Sequence, residues 1–149
     1  MSIPSLHTHL FVVCRSIAWD GFAGPNTSRT LESVAYTYRT ELPDGFPYET
    51  DFWLFFRLAH AGRRAFHRTL RVSLIWLDDP DERAEVWNRK IQTVTFRPEV
   101  PVRDMATQIS GIFEGAGRYE FRLWYNSKSR WDQSQRRRII ARTYIRIEE

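Results

Sequence analysis

Between Gly117 and Asn126 the chain reads GRYEFRLWYN, and the alternation in this run constrains the fold more than any other feature. Tyr119, Phe121, Leu123 and Tyr125 fall on one face at period two, and Arg118, Glu120, Arg122 and Trp124 fall on the other. Such a pattern marks a half-buried β-strand. Gly115 and Gly117 break the chain before it, and Asn126-Ser127 offers a turn after it. The run therefore reads as scaffold, and it points to an architecture.

The rest of the chain repeats that grammar. HTHLFVVC (7–14) opens the fold and SIAWD (16–20) continues it, followed by a polar, glycine-bearing loop over 21–30. LESVAYTYR (31–39) reads as one strand, and ELPDGFP (41–47) as a turn built from proline and Asp-Gly. DFWLFFRLA (51–59) is the most apolar strand, HAGRRAFHR (60–68) a connecting loop, and TLRVSLIWLDD (69–79) an alternating strand. DPDERAEVWNRK (79–90) is the one place for a helical turn, with Asp79 or Pro80 able to start it. IQTVTFRP (91–98), MATQISGIF (105–113) and RRIIARTYIRI (137–147) complete the set. Turn signals at this spacing predict an all-β chain, an antiparallel sandwich of about seven to eight strands. At 149 residues, 42% of them hydrophobic, residues 1–149 are expected to form a single domain.

The type of sandwich follows from Gly117-Arg118-Tyr119-Glu120-Phe121. This Gly-x-Tyr-x-Phe pattern matches the tyrosine corner of immunoglobulin-like domains, in which an inward tyrosine opens the penultimate strand and hydrogen-bonds to backbone just upstream. Phe121 stands where antibody domains carry a disulfide cysteine. That suits a chain whose one cysteine, Cys14, has no intramolecular partner and sits in the apolar run LFVVC, as a small buried hydrophobe would.

The chain also resembles a family of small uncharacterised bacterial sandwich proteins. The matching pieces are FVVCRS (11–16), FWLFFRLA (52–59), LRVSLIWLDDPDE (70–82), GAGRYEFRLWYNS (115–127) and ARTYIRI (141–147). The resemblance implies an immunoglobulin-like fold and carries no established activity or catalytic residues. The basic stretch SRWDQSQRRR (129–138) departs from the shorter turn that the family pattern implies.

Catalytic and metal-binding constellations are hard to assemble. His7 and His9 share a strand face, but no third ligand lies nearby. Asp78, Asp79, Asp81 and Glu82 form an acidic turn without the spacing of a calcium loop. His60 and His67 lie among Arg63, Arg64 and Arg68, a cationic neighbourhood that discourages a metal. GFAGPNTS lacks the GK[ST] of a phosphate loop, and nothing combines nucleophile, base and orienter. The expectation is a chain that is not an enzyme and uses no cofactor, metal or small-molecule substrate. No basic leader and no long apolar run is visible, which favours a soluble cytoplasmic protein without membrane contact.

Two binding surfaces remain. Trp53, Phe55, Ile75 and Trp124 put apolar bulk on strand faces that should meet water. Either loops cover them, or they form an interface for a protein partner, a second copy of the chain included. The alternative rests on charge. Residues 1–117 hold 13 Lys and Arg against 14 Asp and Glu, whereas residues 118–149 hold nine against four. Lys128, Arg130, Trp131, Arg136, Arg137 and Arg138 could form a nucleic-acid-binding hairpin, with Trp131 and Trp124 stacking bases.

Overall fold

The computed structural model describes residues 5–20, 28–34, 37–39, 46–128 and 135–148, and every regular element among them is a strand. These are β1 (Ser5–Asp20), β2 (Ser28–Val34), β3 (Thr37–Arg39), β4 (Tyr48–Ala61), β5 (Phe66–Trp76), β6 (Trp87–Phe96), β7 (Val102–Phe113), β8 (Gly117–Lys128) and β9 (Gln135–Glu148). They form two sheets, in the orders β2-β1-β4-β7 and β3-β9-β8-β5-β6. All pairs are antiparallel except the short β3, which runs parallel to β9.

This is the immunoglobulin-like sandwich. In the lettering used for that fold, β1, β4 and β7 are A, B and E, while β5, β8 and β9 are C, F and G. The addition of β6 beside β5 resembles the extra C′ strand of variable-type domains.

The core follows from alternation on both sheets. Phe52, Leu54, Phe56 and Leu58 of β4 face Leu70, Val72 and Leu74 of β5 and Tyr119, Phe121 and Leu123 of β8, all with 1% exposure or less. Phe52 and Phe121 meet across the sheets edge to face at 5.2 Å. An aromatic pair thus joins B to F where a disulfide could stand, a contact that contributes about 0.5–1.5 kcal/mol beyond its buried area.

The corner has the expected geometry. The Tyr119 hydroxyl donates to the Gly115 carbonyl at 2.6 Å, four residues upstream. Trp76 of β5 stacks on the Tyr119 ring at 5.7 Å, and Phe113 meets it edge-on at 4.9 Å. Burial pushes the Tyr119 phenol up to about 12, so the hydroxyl remains a donor throughout the physiological range. The glycines here are structural. A side chain at Gly115 would come within 2.6 Å of the Trp76 ring, and Gly117 adopts φ +134° with the Asp78 carboxylate against it.

Three local expectations fail, each for a physical reason. Residues 31–39 are not one strand, since β2 ends at Val34 in one sheet and β3 begins at Thr37 in the other. The connection over 60–68 is shorter than expected, because pairing carries β4 to Ala61 and β5 starts at Phe66. The helical turn after Asp79 does not form. The Asp79 carboxylate accepts from the backbone of Asp81 and Arg83, and the Val86 amide bonds to the Leu74 carbonyl, which returns the chain to the sheet as β6. Among the described residues no helix is long and apolar enough to cross a membrane.

Candidate functional site

The outward face of the second sheet gathers charged side chains from β8 and β9. On β8 that face presents Arg118, Glu120, Arg122 and Trp124; register places Arg146, Tyr144, Arg142 and Ile139 of β9 directly opposite them. The result is a two-strand grid, Arg-Glu-Arg beside Arg-Tyr-Arg. Like charges facing each other across strands disfavour the sheet on their own. Here one carboxylate sits among the guanidinium groups. Glu120, only 5% exposed, accepts a short hydrogen bond from Arg122 Nε and lies 3.6 Å from Arg142 Nε. Tyr144 stands beside it, 52% exposed.

The ends of the grid are tethered. Arg118 makes a bidentate contact with Asp78, whose carboxyl is held down to about 2 by that guanidinium and by the Arg118 backbone N–H. Arg146 lies 3.7 Å from Glu148. These exposed pairs contribute little to stability and can exchange for other anions.

Beyond Arg122 the face is built around Trp124. Its indole N–H donates to the Ser73 hydroxyl at 2.7 Å, and the guanidinium groups of Arg137 and Arg71 lie 4.3 and 5.5 Å from its ring. Arg137 is in turn clamped by Glu85 through bonds of 2.8 and 3.1 Å, and Asn88 links Glu85 to Arg71. Arg137 holds the Glu85 carboxyl down to about 2. Two open recesses border this side of the sandwich, one of about 290 Å³ lined by His67, Arg68, Thr69, Arg71 and Asn126, the other of about 370 Å³ along Ile139 to Arg142.

The four residues expected at an apolar interface do not come together. Trp53 and Phe55 lie on β4 in the first sheet, and Ile75 and Trp124 lie on β5 and β8 in the second. Phe55, Ile75 and Trp124 are already buried within the isolated chain, at 3%, 8% and 3% exposure, and Trp53 is half-buried. Of the two readings offered by their outward positions, cover by the chain itself is the one seen at these three. Trp124 shows the means, with arginines laid over its ring.

The basic residues lie at the start of the last strand. Arg136, Arg137 and Arg138 are in β9, paired with Ser127, Asn126 and Tyr125. Their alternation separates Arg137, turned to Trp124, from Arg136 and Arg138. Lys128 ends β8, opposite Gln135, while Arg130 and Trp131 lie outside the described residues.

The acidic turn is occupied by the protein's own cations. Asp79 is 7% exposed and bonded to Arg83, which also reaches Glu114. Among the described residues no group of three or more His, Cys, Asp or Glu side chains is placed to hold a metal. His7 and His9 are exposed on β1; His60 is buried and bonded to the Val100 carbonyl; His67 is bonded to Thr95. Cys14 is fully buried, and burial pushes its thiol pKa up, away from a reactive thiolate.

Sequence reasoning did not single out Tyr144. Its signal is present in RTYIR, where arginines two positions to either side of a tyrosine mirror the RYEFR of β8.

No protein-family model matches the chain, and no curated protein matches it. Among solved structures, a β-glucosidase from Erythrobacter marinus aligns with 95% of this chain at a TM-score of 0.47 and 10% identity. The alignment spans 16% of that protein's length.

Proposed function

We propose that this chain is a non-catalytic binding module, and that its partner is a nucleic acid met by the arginine-bearing face of the second sheet. The observation that supports it is the β8–β9 register, which sets Arg118 opposite Arg146 and Arg122 opposite Arg142 around a single buried carboxylate. The four guanidinium groups share three carboxylates, Asp78, Glu120 and Glu148, so the face keeps an excess of positive charge. Guanidinium groups offer fixed forks of donors matched to phosphate oxygens. The excess of nine basic over four acidic residues in 118–149 supplies the attractive field. The alternative of a protein partner on an outward apolar surface has less support, since Phe55, Ile75 and Trp124 are buried in the chain alone.

Salt dependence tests the reading. Mixed-sequence single- and double-stranded oligonucleotides are titrated by fluorescence anisotropy at low and physiological salt. Affinity should fall steeply with salt, and Arg142→Gln should flatten the log–log slope by about 0.7 if that arginine meets one phosphate of a single strand. An absence of binding at low salt would eliminate the proposal.

A further inference from the structure

We infer that Tyr144 is a base-stacking platform, and therefore that the nucleic acid bound is single-stranded. This rests on the nucleic-acid reading above and makes it specific. Among the described aromatics with a defined burial, Tyr144 is the one that is exposed; the others are at least half-buried. Its position is central. Arg142 and Arg146 lie two residues to either side on the same face, about 7 Å along the strand by the rise of extended chain. Arg118 and Arg122 flank it diagonally on β8. A backbone crossing this face would meet a guanidinium before the ring, beside it and after it.

The buried carboxylate fixes this arrangement. Glu120 is the cross-strand neighbour of Tyr144, and it draws Arg122 and Arg142 toward its own oxygens. These two arginines are thereby held in the row next to the ring, with N–H groups left for an incoming phosphate. Stacking needs an unpaired base, because a duplex keeps its base faces inside the helix. A single strand can lay one on the ring, and the contact is tolerant of sequence because every base has a π-face. Tyrosine is also a good strand former, so its presence in β9 has a plain explanation too. Binding measurements separate the two.

The experiment compares a short labelled oligothymidylate with an abasic oligomer of the same length, which carries the same phosphates and no bases. The wild-type chain should bind oligothymidylate more tightly than the abasic strand or a duplex. Tyr144→Leu should weaken oligothymidylate binding by about five- to a hundredfold, the range for one aromatic–base stack, and leave the abasic strand unaffected. Tyr144→Phe should retain the preference. Circular dichroism checks each fold, and Tyr144→Thr replaces the leucine variant if that one is misfolded. Equal binding of the two strands, or of the duplex, would overturn the stacking role while leaving phosphate recognition in place. Preferential displacement by an acidic peptide would overturn it in favour of a protein partner. If neither strand binds at low salt, the nucleic-acid reading falls, and the platform with it.

Discussion

The two faces of β8 belong to one strand and do opposite work. Tyr119, Phe121, Leu123 and Tyr125 are sealed in the core, whereas Arg118 and Arg122, interleaved with them, retain solvent access. The inward side chains each meet several fixed neighbours: Phe121 touches Phe52 from the other sheet and Trp87 from its own. The outward ones meet long, movable arginines and carboxylates. Period two therefore separates a face where volume decides stability from a face where charge can be redistributed at little cost.

The largest expected effect tests the inward side. Phe121→Ala should destabilise the fold by about 3–5 kcal/mol, since it removes a fully buried ring and leaves a cavity between the sheets. Urea denaturation followed by tryptophan fluorescence measures it. A loss below about 1 kcal/mol would show that the two faces are far less different than the packing implies.

A smaller effect sharpens the same contrast at the corner. Tyr119→Phe keeps the ring against Trp76 and Phe113 and deletes only the hydroxyl, which donates to the Gly115 carbonyl at 2.6 Å and accepts weakly from the Gly115 N–H at 3.4 Å. The fold should survive with a loss of about 0.5–1.5 kcal/mol. An unchanged midpoint would make the corner a packing feature alone.

Which parts of this were readable in advance depends on what alternation encodes. It assigns each side chain to a face, so the strands, the corner and the sandwich class could be read from GRYEF and its counterparts. It does not say what lies over a face. Phe55, Ile75 and Trp124 were correctly placed outward, yet Trp124 is covered by Arg71 and Arg137, residues distant in sequence that only the sheet order brings near. The same limit affected the basic cluster. RRIIARTYIRI already carries Arg137 and Arg138 as part of a strand, but only the β8–β9 ladder shows that Arg137 is the one turned to Trp124. For Tyr144 the sequence shows only the half of the pattern that lies on its own strand, RTYIR. Its partners Arg118, Arg122 and Glu120 belong to a different strand, and only register aligns them with it. The break between β2 and β3 was equally invisible, since both pieces have strand-like composition and differ only in the sheet they join.

The smallest expected effect on stability bears most directly on the outward face. Arg142 is exposed, its distance to Glu120 is 3.6 Å, and it faces the like charge of Arg122 across the strands. Replacing it with glutamine removes a weak attraction and a weak repulsion together. The stem that covers the sheet is largely preserved. Arg142→Gln should therefore shift stability by no more than about 0.5 kcal/mol in either direction, the ordinary range for a surface change. The urea midpoint of this variant should overlay that of the wild type while its affinity for a polyanion falls. A loss of more than about 1 kcal/mol would mean that Arg142 and Glu120 act as a structural pair whose removal leaves a buried charge uncompensated. The arginine grid would then be part of the scaffold, and the division between the two faces of β8 would no longer separate stability from binding.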